Sequence, residues 1–311
     1  VAKILVTPRS ITSQGHSALS ALTNAGYEII LATPGQQPSE NELIERLPGC
    51  VGMLAGVEKI SARALAAATE LQVISRNGVG IDGIDLAAAE SRGIRVCRAE
   101  GSNARGVAEL AIGLLLSLAR AIPSGDRAIK SDQWERRQGI ELEGKTLGIV
   151  GCGRIGRLVC EFALALDMRV LAYDVVPDST YAPSDRFSFV SLDHLFENAD
   201  AITLHCPASV EDEALLDCAA LSKLKHGVFL INTARPNLID IDALISKLDN
   251  AEVRAAAVDV FEIEPPIGDR LAKHPRVIAT PHIGGFTHES IDRAVQMAVD
   301  NLLETLCPVV Q

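Results

Sequence analysis

The stretch Thr146-Leu147-Gly148-Ile149-Val150-Gly151-Cys152-Gly153-Arg154-Ile155-Gly156 restricts the fold of this chain more than any other segment. A short apolar run stops at Gly151, and a helical pattern begins within the glycine-rich segment. Glycines at the first, third and sixth positions of such a junction fit a dinucleotide-binding turn. The first allows the tight bend, the second lets backbone approach a pyrophosphate, and the third lets the helix pack closely on the strand. N–H groups at the helix start then hold phosphate without a charged side chain, with Ile155 as a flanking contact and Arg154 either approaching the pyrophosphate or remaining solvated. The next strand, Met168-Arg169-Val170-Leu171-Ala172-Tyr173, ends at Asp174. A carboxylate there accepts from the ribose hydroxyls of NAD and repels a 2′-phosphate. The alternative is an ordinary glycine turn of an α/β protein. The strand before, the helix after and the acid beyond favour the nucleotide.

Short apolar strands alternate with helical segments on both sides of this turn, which predicts a mostly parallel sheet. Before it, strands are expected at 3–7, 27–31, 52–55, 71–75 and 94–97, with helices at 13–25, 40–47, 61–68 and 86–91. Ser61 is a candidate N-cap. Asn77-Gly78-Val79-Gly80 follows a strand, and its two glycines let backbone amides converge on an anion. A long helix over 103–120 carries Val107, Leu110, Leu114, Leu115 and Leu118 on one side. It reads as a connecting helix that supports two domains. Trp134, in the polar region that follows, reads as a packing or interface anchor.

After the turn, polar groups recur at strand ends: His205-Cys206-Pro207, Asn232-Thr233-Ala234-Arg235, Asp259, and Thr280-Pro281-His282. Ligands of open α/β sheets bind at such ends. Asp240 is placed to cap a helix over 241–248.

Composition closes off other classes. The 311 residues are enough for two domains, and 48% hydrophobic with 22% charged residues describes a soluble globular chain. Aromatic content of 4% leaves few stacking platforms, and a net charge of -11 disfavours non-specific nucleic-acid binding. The odd set Cys50, Cys97, Cys152, Cys160, Cys206, Cys218 and Cys307 reads as buried free thiols in a reducing compartment. Cys152 is read as a small side chain tolerated in the turn rather than a reactive one. No cysteine pair has zinc-ligand spacing, so no metal is expected. The apolar run 111–119 is too short to span a bilayer, and no secretion signal opens the chain. No membrane partner and a cytoplasmic location are expected.

With Arg235, Glu264 and His282 in view, the sequence resembles the D-isomer-specific 2-hydroxyacid dehydrogenase family. The shared motifs are Asn77-Gly78-Val79-Gly80, the glycine turn, Asn232-Thr233-Ala234-Arg235, Asp259-Val260-Phe261-Glu262 with Glu264-Pro265-Pro266, and Thr280-Pro281-His282-Ile283-Gly284-Gly285. In appearance it is most similar to the short-form phosphoglycerate dehydrogenase branch. The resemblance implies two Rossmann-like open parallel-sheet domains with a central cleft. One is a substrate-binding domain of residues 1–100 and 282–311, the other an NAD-binding domain of residues 101–281. It also implies a homodimer and no serine-responsive regulatory domain.

Under that resemblance, His282 exchanges the hydroxyl proton, while Glu264 orients the imidazole and favours its protonated form. Arg235 binds the substrate carboxylate and polarises the C2 oxygen. Asn77, Gly78 and Val79 surround the same carboxylate. NAD is contacted by Gly151, Gly153, Arg154, Ile155, Gly156, Asp174, His205, Cys206, Pro207, Thr233, Ala234 and Asp259. The small-molecule partner is a 2-hydroxyacid or 2-ketoacid, with 3-phospho-D-glycerate leading and glyoxylate or hydroxypyruvate reduction second. A non-catalytic NAD-sensing corepressor is the reading from another class.

Two departures bear on the substrate. Many relatives place glycine after the catalytic arginine, where this chain has Pro236-Asn237. Proline removes a donor and fixes φ. In Gly56-Val57-Glu58-Lys59, Lys59 suits a substrate phosphate, whereas Glu58 opposes one if it faces the substrate.

Overall fold

Two all-parallel sheets account for the strands of this computed structural model, which describes residues 1–208 and 213–306. The chain divides into unit 1, Val1–Asn103 with Thr287–Gln311, and unit 2, Ala104–Phe286. The passage back to unit 1 therefore lies beyond the expected break at 282, and His282 belongs to unit 2. The reason is local: Ile283 and Gly284 are hydrogen-bonded to Asp259 of the second sheet.

Unit 1 contains β1 (Lys3–Val6), α1 (Arg9–Gln14), α2 (Leu19–Asn24), β2 (Glu28–Leu31), α3 (Glu40–Arg46) and β3 (Cys50–Ala55). It continues through α4 (Ala62–Ala67), β4 (Val73–Arg76), α5 (Leu86–Ser91) and β5 (Arg95–Arg98). The sheet runs β2-β1-β3-β4-β5, so the winding direction reverses between β1 and β3. Ser61 accepts from Ala64 N and caps α4 as expected. The single helix expected over 13–25 is instead two short ones. Gly15, at φ 72°, closes α1 by donating to Ile11 O, and α2 begins afresh at Leu19. The C-terminal helix His288–Leu306 returns to this sheet. Its Val295, Ala298, Val299 and Leu302 are buried with Ile4, Val6, Leu54 and Val73. Burying each larger aliphatic side chain contributes about 1.5–3 kcal/mol.

Unit 2 opens with α6 (Ala104–Arg120), whose inner face of Ala108, Ala111, Leu114, Leu115 and Leu118 is buried. Next come α7 (Ile122–Lys130), β6 (Thr146–Val150), α8 (Arg154–Ala165), β7 (Arg169–Tyr173), β8 (Phe187–Phe189) and α9 (Leu192–Asn198). The unit ends with β9 (Ala201–Leu204), α10 (Cys218–Ser222), β10 (Val228–Asn232), α11 (Ile241–Asp249), β11 (Val253–Val258) and β12 (Val277–Ala279). Asp240 caps α11 by accepting from Ala243 N. The order is β12-β11-β10-β9-β6-β7-β8, and the winding reverses between β6 and β9. Strands buried on both faces explain the near-continuous apolar runs of the sequence; every residue of β10 is buried.

Among the described residues no single helix is long and apolar enough to cross a membrane. Only the pair α6 and α7, bent by 63°, passes together. Trp134 is no packing anchor within the chain, since it is 81% exposed. The thiols also depart from expectation. Cys50, Cys152 and Cys160 are buried, but Cys97 and Cys206 are half-buried and Cys218 is exposed. Cys218 opens a one-turn helix whose inner side is supplied by Leu221. Cys307 lies outside the described residues. Leu230→Ala, in the middle of β10, should lower unfolding free energy by about 2–5 kcal/mol, measured by urea denaturation followed by circular dichroism.

Candidate active site

Because all seven strands of unit 2 are parallel, their carboxyl ends lie along one edge. That edge carries the glycine turn after β6, Asp174 after β7, His205 after β9, Arg235 after β10, Asp259 after β11 and His282 after β12. The sheet thus gathers groups that the sequence spreads over more than a hundred residues.

The turn is fixed by lack of room. A Cβ on Gly156 would stand 2.1 Å from the carbonyl oxygen of Gly151. Gly151, at φ 92°, passes so close to the His205–Cys206 peptide that a Cβ would meet it at 2.7 Å. Gly153 differs, for a Cβ there would meet nothing within 4 Å. The second glycine is therefore bare towards open space, the arrangement a close-approaching pyrophosphate requires. Arg154 opens α8 and is exposed, with Ile155 half-buried behind it. Asp174 receives Cys152 N at 2.8 Å on Oδ2 and Val176 N at 3.1 Å on Oδ1, tying turn to strand end. A carboxylate retains further lone pairs for ribose hydroxyls. Burial pushes the Cys152 thiol up to about 11, with Cys160 adding to the rise. It stays protonated at neutral pH, which agrees with a space-filling role.

Beside the turn, His205 Nε2 lies 2.9 Å from Thr203 Oγ1. Burial pushes its pKa down to about 3, so the ring is neutral. Its Nδ1 and the hydroxyl of Thr233 are buried polar atoms with no hydrogen-bond partner among the described residues. Buried polar groups are seldom left so, and both stand at the edge where a nucleotide would supply partners. Cys206 is half-buried and Pro207 exposed beside them. With Gly153, Asp174 and the start of α8, these residues fit NAD.

Two side chains hold the reactive loops. Asn232, only 2% exposed, donates from Nδ2 to Arg235 O at 2.8 Å and accepts from Ala234 N at 3.0 Å. It shapes the turn that presents Arg235, whose Nη1 donates to Ala234 O at 2.8 Å. Pro236 and Asn237 open a 3-10 turn, Pro236–Leu238. Asp259, 1% exposed, accepts from Thr280 Oγ1 at 2.6 Å and Ile283 N at 2.9 Å on Oδ1. Its Oδ2 accepts from Gly284 N at 2.8 Å. The carboxylate thus grips both sides of His282, which adopts a left-handed φ of 52° uncommon for a side-chain-bearing residue. The family resemblance implies a cofactor contact for Asp259; the bonds it makes within the chain are those of an anchor for the His282 loop. The Asn232 staple is a local Asx turn to residues two and three positions on, whereas that of Asp259 reaches residues 21 to 25 positions away and has no short-range sequence signature.

His282 Nδ1 lies 2.9 Å from both oxygens of Glu264, and Glu264 Oε1 also accepts from Phe261 N at 3.2 Å. The pair is open, with side-chain exposures of 54% and 37%. Such a pair stabilises folding by about 1 kcal/mol or less; its consequence is orientation. With Nδ1–H donated to the carboxylate, Nε2 is left to exchange a proton. Of the other histidines, His16 pairs with Asp292 and His274 with Asp249. Among the described residues no cluster of His, Cys, Asp and Glu is suited to a metal. Asn77, Gly78 and Val79 follow β4 and belong to unit 1.

A glycine turn at a switch point, an acid on the next strand and a carboxylate-oriented histidine on the same edge define a nucleotide-dependent α/β protein. Residues 112–284 match the model for the D-isomer specific 2-hydroxyacid dehydrogenase, NAD binding domain. The chain is 41% identical over 277 residues to D-3-phosphoglycerate dehydrogenase of Archaeoglobus fulgidus, covering 88% of this chain and 52% of that protein. It is 36% identical over 282 residues to hydroxypyruvate reductase of Thermotoga maritima, covering 89% and 91%. The crystal structure of the TT0316 protein from Thermus thermophilus superposes with a TM-score of 0.88 at 36% identity, covering 98% and 96%. The chain belongs to the D-isomer-specific 2-hydroxyacid dehydrogenase family and carries its NAD-binding domain. It spans about half the length of the phosphoglycerate dehydrogenase it matches.

Gly156→Ala should abolish NADH binding in a fluorescence titration, because the added methyl cannot coexist with the Gly151 carbonyl. The neutral, half-buried imidazole of His205 gives a second expectation. Its pKa falls from 6.5 in the unfolded chain to about 3 in the folded one. The unfolded state therefore binds the extra proton across that window, and stability falls as pH drops from about 6.5 towards 3. Acid unfolding of His205→Asn should lack this component.

Proposed function

We propose that the chain catalyses reversible, NAD-linked oxidation of a D-2-hydroxycarboxylate to the 2-ketoacid. The observation that carries this reading is the Glu264-oriented His282, on the same sheet edge as Arg235 and the glycine turn. When bound, NAD accepts the hydride that leaves C2. The turn, the start of α8 and Asp174 hold it, with His205, Cys206, Pro207, Thr233 and Ala234 as further contacts.

In the oxidative direction His282 Nε2 takes the hydroxyl proton, and in reduction it returns it. Glu264 fixes the ring so that Nε2 is the nitrogen presented. Arg235 binds the carboxylate through its planar fork and favours negative charge on the C2 oxygen as it develops. Asp259 acts on the reaction by holding the His282 loop. In unit 1, we place Asn77, Gly78 and Val79 around the substrate carboxylate, as the family resemblance implies, and assign that unit the substrate-binding part. Exposed Ile122, Ile129 and Trp134 support a homodimer.

Similarity to the phosphoglycerate dehydrogenases supports 3-phospho-D-glycerate as substrate. A second reading, reduction of glyoxylate or hydroxypyruvate, is favoured by the hydroxypyruvate reductase that matches over 91% of its own length.

His282→Ala should lower kcat by about 100- to 10,000-fold while NADH affinity holds. Arg235→Ala should raise KM for the ketoacid and lower kcat together. Both are read by following NADH absorbance with a panel of 2-ketoacids. Wild-type protein that binds NADH and reduces none of them would overturn the assignment. NADH-dependent capture of a protein partner would then favour a corepressor.

A further inference from the structure

Arg157 stands one position beyond the glycine turn, near the start of α8. Its Nε donates to the carbonyl of Cys152 inside the turn at 3.3 Å, and its Nη2 donates to Asp178 Oδ2 at 2.8 Å. The guanidinium also lies over the ring of Tyr181, 4.5 Å from the centroid, within the range of a cation–π contact. The hydroxyl of Tyr181 donates in turn to Arg157 O at 3.4 Å. A planar guanidinium can stack and direct its hydrogen bonds at once, which an ammonium cannot. All of these residues belong to unit 2.

What Arg157 grips is the segment between β7 and β8, which is neither helix nor strand. Asp174 pins its start by accepting from Cys152 N and Val176 N. Asp178 shapes its middle: Oδ1 accepts from Thr180 N at 3.0 Å and from Thr180 Oγ1 at 2.6 Å, and its carbonyl accepts from Tyr181 N at 3.0 Å. Thr180 first, and Arg157 with it, hold the Asp178 carboxyl down to about 2, so it is charged at neutral pH. Beyond it Tyr181 packs edge-on against Phe187, with ring centroids 5.3 Å apart. Cys152 is therefore tied to this segment twice, through its N–H to Asp174 and through its carbonyl to Arg157.

Between the two acids lies the part of the loop that a nucleotide would meet. A carboxylate at the end of this strand accepts from the ribose hydroxyls of the adenosine half. The base on that ribose then lies within reach of the residues that follow. Here they are Val175 and Val176, 82% and 81% exposed. Bare apolar side chains beside an acid suit a flat base with a polar sugar, the mixture typical of ligand sites. The Arg157–Asp178 pair is itself 38% exposed on each side chain, so it adds little to folding. Its effect is on where the loop sits.

We infer that Arg157 is a positioning residue for the adenosine half of NAD, clamping the Asp174–Asp178 stretch to the glycine turn through Asp178 and Tyr181. The inference rests on the NAD site and not on which hydroxyacid reacts there. The competing account is a clamp that merely helps the turn and loop to fold, whose loss would spread to the whole cofactor.

The test compares the intact wild-type chain with Arg157→Ala, Asp178→Asn and the double variant. Calorimetry gives the affinities for NADH and for ADP-ribose, which lacks the nicotinamide. The emission maximum of NADH bound at saturation reports the surroundings of the nicotinamide, and circular dichroism gives Tm without ligand. Arg157→Ala should weaken NADH and ADP-ribose by the same factor, at least about fivefold. The emission maximum should stay at its wild-type position and Tm should move by no more than about 4 °C. Asp178→Asn should weaken both ligands too, and the double variant should be no weaker than Arg157→Ala, because the two side chains act as one clamp. A loss smaller than fivefold in Arg157→Ala overturns the inference, as does a shifted emission maximum or a double variant whose loss is the product of the singles. Wild type that binds neither ligand would sink the cofactor site and this role of Arg157 with it. Wild type that binds both but reduces no 2-ketoacid would sink only the reaction assignment, since the test reads no turnover.

Discussion

The approach of Gly156 to the carbonyl of Gly151, too close for even a methyl group, is the constraint on which the second unit depends. It brings the start of α8 directly over the end of β6, so that the N–H groups of a twelve-residue helix and a bare Gly153 face the same space. The adjoining β9 end is then squeezed against Gly151, which seats His205 beside the turn. Everything chemical in this unit is placed relative to that junction by parallel strand pairing. Arg235, Asp259 and His282 reach one edge because β10, β11 and β12 continue the same sheet in the same direction.

Polar side chains replace regular structure where the loops must be irregular. Asn232 and Asp259 are both buried at strand ends, and each satisfies backbone donors of a loop that no strand or helix can satisfy. Unsatisfied buried N–H groups are costly, so these side chains fix the loop conformations as firmly as a cap fixes a helix. Glu264 does the same for an imidazole rather than for backbone. His282 stays accessible with Glu264 open beside it, while Asn232 and Asp259, which hold the loops, lie beneath the surface.

Much of this was legible in the sequence. Buried parallel strands announce themselves as apolar runs, and the glycine turn, the caps at Ser61 and Asp240 and the long helix follow local rules. The break at Gly15 was not legible, because a glycine inside an apolar-periodic stretch looks the same whether or not it leaves helical φ. The anchoring by Asp259 was hidden as well, since its partners Thr280, Ile283 and Gly284 are joined to it only by the pairing of β11 with β12. That Glu58 is buried, accepting from Gly56 N, depended on room beside Gly56, which spacing does not encode. Exposure of Cys218 and Trp134 likewise reflects what fails to pack over them, a property of the tertiary structure.

The first unit is assembled from both sides of the second: its sheet lies within the first 103 residues, while the helix His288–Leu306 comes after unit 2. On a ribosome the strands around Ile4, Val6, Leu54 and Val73 are made long before Val295, Val299 and Leu302 exist to cover them. Unit 2 is continuous from Ala104 to Phe286 and can be completed during that interval. The growing chain must therefore carry this sheet face only partly covered, by Ile11, Ala18 and Leu22, until the helix His288–Leu306 emerges, and chaperone shelter matters most during that interval.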